Sequence, residues 1–187
     1  MNSQVPLIYL VRHGETAWTI SGQHTGLTDL PLTPLGERLK GLSFDAVFAS
    51  PLQRALRTCE LAGFGTGVQI DRDLVEWDYG VYEGKTTDEI RRERPCWDLF
   101  LDGCPHGESV STVSTRADGV IRRLRGINGS TLLFSSGHFL RVLAVRWLGL
   151  HAAAGRYLLL GTGALSILGY EHDLQNPVIH LWNDRYR

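Results

Sequence analysis

A three-layer αβα sandwich, an α/β fold with a mostly parallel central sheet, is predicted by three features of the sequence. Continuously apolar runs of strand length recur along the chain, the pattern of strands covered on both faces. Segments with helical spacing of apolar residues separate them. Each strong run ends in a glycine-, serine- or proline-containing turn rather than in a hairpin signal, so the connections read as crossovers.

The first run is Leu7-Ile8-Tyr9-Leu10-Val11, which stops at Arg12-His13-Gly14. The second, Asp45 to Ala49, meets Ser50-Pro51, read as a helix cap followed by proline at the first helical position, with the helix continuing to about Gly63. Val68 to Ile70 and Leu74-Val75 form a weaker extended region. Val110, Val113, Ala117, Ile121 and Leu124 recur at spacings of three and four, so 109–126 is an amphipathic helix capped by Ser109. Thr131 to Ser135 is a third strong strand, running through Gly137 into a helix from His138 to Leu148, and Ala164 to Tyr170 and Val178 to Trp182 read as the last strands. The stretch 77–108 is rich in Trp, Arg, Pro and Gly and too long for a plain connection; excursions of that length often cover sites.

The chain has 187 residues, 43% of them apolar and 21% charged, which suits one domain spanning 1–187 with a buried core. A formal charge of −1 supplies no global positive field for nucleic acid or an anionic membrane, so any anion must be held locally. Of 19 basic residues only Lys40 and Lys85 are lysines; arginine suits forked oxyanion recognition, although composition bias explains the excess as readily. Cys59, Cys96 and Cys104 form an odd set without metal-ligand spacing, as expected of reduced thiols in a cytoplasmic protein. No run approaches 18 apolar residues and no leader pattern opens the chain, so a soluble protein is expected.

Two clusters carry candidate chemistry. Arg12 and His13 stand where a buried strand stops, and ligands of open parallel sheets bind beyond the carboxyl ends of strands. Arg54 falls in the first turn of a helix that follows another such strand. Either cluster alone reads as readily as a turn or a solvated helix face. Together they place an imidazole and two guanidiniums at one end of the sheet.

Six ordered stretches, RHGETAW at 12–18, TGLTDLPLTPLGE at 25–37, SPLQRALRTCELAG at 50–63, EWDYGVYEG at 76–84, DGCPHGES at 102–109 and SGHFLRVLAVRWLGL at 136–150, resemble the histidine phosphatase, or phosphoglycerate-mutase-like, superfamily. The wording of the second and fourth is similar to sugar bisphosphatases and broad acid phosphatases. The resemblance implies the phosphoglycerate-mutase-like fold and a metal-independent, cofactor-free phosphatase. His13 would be the nucleophile that becomes a phosphohistidine, Arg12 and Arg54 the forks on the phosphoryl oxygens, and Glu76 the general acid. Glu15 and Glu83 match positions the family does not use for that purpose. Thr25, Gly26 and Tyr79 match substrate-contacting positions, and Trp18, Gln23 and His24 are candidates for the same opening. Arg91, Arg92 and Arg94 are candidates for a second phosphate, with a solvated helix face as the plainer reading.

The chain departs from the family pattern at the second catalytic histidine, in the His-Gly-x-x-x-Arg stretch, where it carries Ser136; His138 falls two residues later. Either His138 or Ser136 would then serve the phosphoryl group, assisted by N–H groups at the start of the following helix, or the site is weakened. The segment from Leu35 to Leu42 is also shorter than in relatives. The implied partner is a small phosphorylated metabolite, with inorganic phosphate as product and a monomer or homodimer as the assembly. Phosphoryl transfer of the mutase type and phosphate binding without turnover are the alternatives.

Overall fold

The computed structural model describes residues 5–14 and 44–185. Within these, strands β1 (Leu7–Arg12), β2 (Ala46–Ala49), β3 (Gln69–Ile70), β4 (Ser130–Ser135), β5 (Leu165–Tyr170) and β6 (Pro177–Asp184) form one sheet in the order β3-β2-β4-β1-β5-β6. The pairs β1–β4, β2–β4 and β2–β3 are parallel, whereas β1–β5 and β5–β6 are antiparallel. The sheet is therefore parallel in its first four strands and changes direction at β5.

Helix α1 (Gln53–Leu61) packs on one face through Ala55, Cys59 and Ala62, against Val11, Ala49, Leu132 and Phe134. The opposite face carries α4 (Val110–Arg125) and α5 (Gly137–Trp147), whose Val113, Ala117, Leu140, Leu143 and Trp147 join Ile8, Leu10, Leu133 and Leu168 in the larger core. Adjacent strand residues thus feed opposite layers: Leu10 one, Val11 the other, as period-two pleating dictates. The predicted sandwich is what the described residues form.

The cap at the second strand needs correcting. Helix α1 is capped by Leu52, without a side-chain bond, and Ser50 instead bends the chain, its Oγ accepting from the Leu52 N–H at 3.4 Å. The Ala55 and Leu56 N–H groups donate to the Leu52 carbonyl at 2.9 and 3.1 Å, so the helix begins after Leu52 rather than after Ser50. Ser109 does cap α4, accepting from the Thr112 N–H at 3.0 Å. The extended region near 68–75 reduces to the two-residue β3 followed by a 3-10 turn at Arg72–Leu74.

The excursion 77–108 is a packed cover rather than a free loop. It contains α2 (Thr87–Glu93) and α3 (Leu99–Asp102) and buries Trp77, Tyr79, Tyr82, Trp97 and Phe100 in the larger core. Gly80, at φ +52°, and Gly107 let two of its turns touch: a Cβ at Gly80 would stand 2.2 Å from the Pro105 carbonyl, and one at Gly107 2.3 Å from that of Asp78. No helix among the described residues is long and apolar enough to cross a membrane.

Candidate active site

The parallel pairing of β1 with β4 decides which residues meet. Arg12 registers with Ser135, and the His13 N–H donates to the Ser135 carbonyl at 3.0 Å. The next residue on each strand, His13 and Ser136, therefore leave the sheet side by side. Both are buried, as is Arg54. Helix α1 is tied to the same loop by one hydroxyl: Thr58 Oγ1 donates to the Arg54 carbonyl at 2.7 Å and accepts from the Gly14 N–H at 3.0 Å.

His13 Nδ1 lies 2.8 Å from the Gly14 carbonyl. A carbonyl only accepts, so Nδ1 carries the proton and, in the neutral ring, Nε2 carries the lone pair. Burial, then the Arg12 and Arg54 guanidiniums, hold the imidazole well below the ordinary histidine pKa. Both arginines thus act on the same ring. Arg12 donates to the Leu160 carbonyl, and its guanidinium lies against Gly137, where a Cβ would come within 3.0 Å of Nε. Its own pKa is lowered by burial, against the opposing pull of Glu76 and Tyr79.

Glu76 sits beneath this group, its carboxyl at the start of α5. Its Oε1 accepts from the Trp77 and Phe139 N–H groups at 2.9 and 2.7 Å, and its Oε2 from that of His138 at 3.0 Å. The carboxylate takes over the helix-capping role that Ser136, the residue at the cap position, does not perform. Of the Gly137 and His138 N–H groups expected to assist an oxyanion at the start of α5, that of His138 donates to Glu76. The Ser136 hydroxyl is left buried with no hydrogen-bond partner among the described residues, as is Arg12 Nε.

Tyr79 and His138 form a second layer. The Tyr79 hydroxyl and His138 Nδ1 are 2.5 Å apart, and the His138 ring stands edge-on to Tyr79 and Phe100. Burial and the nearby Glu76 push the Tyr79 hydroxyl well above its usual pKa, so it remains a neutral phenol. Hence Arg12, His13, Arg54, Glu76, Tyr79, Ser136 and the start of α5 come together. Arg91, Arg92 and Arg94 lie on exposed surface, with Arg91 donating to the Trp97 carbonyl and Arg94 paired with Asp102 at 2.8 Å. Thr25, Gly26, Glu15, Trp18, Gln23, His24 and the segment 35–42 lie outside the described residues.

Three features were not assigned from sequence. Arg141 reaches back from α5 to the Gly155 carbonyl at 2.9 Å and is drawn down to about 10 by burial; its signal was the final arginine of the His-Gly-x-x-x-Arg pattern. The turn before β5 closes on the site, where the Gly163 N–H donates to the Arg12 and His13 carbonyls. The third is the contact between Glu108 and Arg116, which no local pattern announces. Among the described residues no group of three or more His, Cys, Asp or Glu is placed to hold a metal ion.

Residues 8–185 match the family model of the histidine phosphatase superfamily, branch 1. The chain belongs to the histidine phosphatase superfamily. It is 41% identical over 184 residues to an acid phosphatase of Mycobacterium tuberculosis, covering 92% of this chain and 90% of that protein. It is 35% identical over 191 residues to the sedoheptulose 1,7-bisphosphatase of Saccharomyces cerevisiae, covering 80% and 70% respectively. A solved structure of an open reading frame product from Mycobacterium tuberculosis superposes with a TM-score of 0.89 at 36% identity, over 96% of this chain and 98% of that one. In this histidine phosphatase chain, β1, β4 and α1 bring the family's Arg-His-Gly stretch and Arg54 to one end of the sheet.

Proposed function

We propose that this protein is a metal-independent phosphatase that hydrolyses a small phosphorylated metabolite, a sugar phosphate or bisphosphate, through a phosphohistidine on His13. The carrying observation is a buried neutral imidazole whose lone pair is on Nε2, flanked by two guanidiniums. Nε2 attacks phosphorus, and the ester P–O bond breaks as Glu76, entering this step as the carboxylic acid, gives its proton to the departing oxygen. Water, losing a proton to the Glu76 carboxylate, then attacks the phosphorus and restores His13. Arg12 and Arg54 neutralise the phosphoryl oxygens throughout, so positioning and electrostatics account for most of the rate. The acid phosphatase and bisphosphatase relatives support this reading.

Chelator-treated protein should release inorganic phosphate from an aryl phosphate, and faster from one or more members of a panel of sugar mono- and bisphosphates. Loss of turnover on chelation, or movement of phosphate between substrate positions without net release, overturns the proposal.

Ser136, beside His13 where the family pattern has a second histidine, favours one competing reading: a phosphate-binding protein of low turnover. The hydroxyl separates the two. A buried hydroxyl without a partner costs about 1–3 kcal/mol, and a bond to a charged oxygen recovers it. Ser136→Ala is expected to raise the melting temperature while lowering kcat/KM about 10-fold. A wild type that binds phosphate without turnover, together with gain of hydrolysis in Ser136→His, would favour the binding protein.

A further inference from the structure

We propose that Arg116, with Glu108, is the positioning residue for Glu76, holding the strap from Asp73 to Asp78 so that the Glu76 carboxylate stays at the start of α5. This inference rests on the reading of Glu76 as proton donor.

The contacts form a closed set. Arg116 grips Glu108 in a forked pair, Nε to Oε1 at 2.9 Å and Nη2 to Oε2 at 2.6 Å. Nη1 donates to the Asp73 and Val75 carbonyls, each at 2.8 Å, and Nη2 to the Glu76 carbonyl at 3.2 Å. A guanidinium has five N–H bonds, and these are five contacts. Three of them end on the backbone that leads into Glu76. Glu108 holds the other end of the strap: its Oε2 accepts from the Asp78 N–H at 3.1 Å, its backbone N–H donates to the Asp78 carbonyl at 2.9 Å, and its carbonyl accepts from Trp77 Nε1 at 2.9 Å.

The pair also reaches the second anchor of the carboxylate. The Arg116 guanidinium lies 4.3 Å from the centre of the Phe139 ring, and the Phe139 N–H is the 2.7 Å donor to Glu76 Oε1. One side chain thus fixes both the backbone that presents the acid and the residue that receives it. The side chains of Arg116 and Glu108 are only 12% and 15% exposed, so this forked pair is sheltered from the solvent competition that makes surface pairs weak. Lysine has three donors and no fork, and cannot reproduce the set.

Leaving-group dependence reads the proposal. A phenolate leaving group, whose conjugate acid has a pKa near 10, needs a proton; dinitrophenolate does not. Because Glu76 also serves as base in phosphoenzyme hydrolysis, the readout is kcat/KM, which reports steps up to phosphoenzyme formation: Glu76→Gln is expected to lose about 10²-fold or more on phenyl phosphate and little on dinitrophenyl phosphate. Arg116→Lys should follow it with a loss of about 10-fold to 10²-fold in kcat/KM on phenyl phosphate and less than about threefold on dinitrophenyl phosphate. In a Glu76→Gln background the cost of Arg116→Lys should vanish, because both changes disable the same group. Glu108→Gln, which keeps the shape of the pair, provides the same readout should Arg116→Lys not fold.

Equal losses on both esters, or full additivity with Glu76→Gln, would make Arg116 a structural residue only and overturn the proposal while leaving Glu76 as the acid. If Glu76→Gln itself shows no leaving-group selectivity, the reading of Glu76 fails and the positioning role fails with it.

Discussion

His13→Ala is expected to lower kcat at least about 10⁴-fold and to abolish the phosphoenzyme, because removing a nucleophile removes the two-step route rather than weakening it. Acid-free quenching with labelled substrate should trap one phosphate on His13 of the wild type and none on the variant. The adduct is expected on Nε2, since Nδ1 is committed to the Gly14 carbonyl. Turnover retained within 10-fold in His13→Ala would end the nucleophile assignment.

The same residue has a pH signature. Burial and the two arginines depress the folded-state pKa of His13, while the unfolded chain takes up this proton near pH 6.5. Below that pH the unfolded state binds more protons than the folded one. Stability linked to His13 is therefore complete above about pH 6.5 and is lost as pH falls toward the folded value. Wild type should lose more melting temperature than His13→Ala between neutral and mildly acidic buffer. Equal acid sensitivity would mean that the imidazole is not held neutral by its surroundings.

Arg54→Lys is the second large effect, expected to lower kcat/KM about 10²-fold to 10³-fold although the charge is kept. Arg54 is buried at the start of α1, and the Thr58 hydroxyl ties its backbone to the loop that carries His13. A lysine there has the charge without the fork that spans two phosphoryl oxygens. Affinity for vanadate, an oxyanion that adopts five-coordinate geometry, should fall in parallel with kcat/KM. Activity within threefold of wild type would remove Arg54 from the phosphoryl site. A loss confined to KM would place it in ground-state binding alone.

Much of this was legible in the chain because it is local. The apolar run from Leu7 to Val11 can be little but a strand buried on both faces, and the apolar spacing in 110–124 little but a helix with one buried side. Arg12 and His13 were legible for the same reason: polar groups directly after such a strand fall at the carboxyl edge of the sheet. Ser50-Pro51 carries a strong local cap signal, whereas the first helical carbonyl to accept is that of Leu52, which puts the start of α1 at Gln53. The excursion 77–108 looked irregular because its tryptophans and tyrosines follow no single period; they fill a core that other elements define.

The start of α5 is likewise held by a group distant in sequence. Ser136 precedes a helix, as a capping serine should, yet a carboxylate 60 residues earlier in the chain does the capping. The five contacts of Arg116 were invisible for a related reason, since its acceptors are mostly backbone carbonyls, which every residue carries. Composition and periodicity by themselves determined the sandwich, its layers and the edge at which chemistry would lie, because burial of apolar side chains depends on near neighbours in sequence. Only the tertiary structure decided which nitrogen of His13 is free to react, what holds Glu76 and why Ser136 is left over. Those outcomes depend on hydrogen-bond partners, and partners are chosen by distance in space.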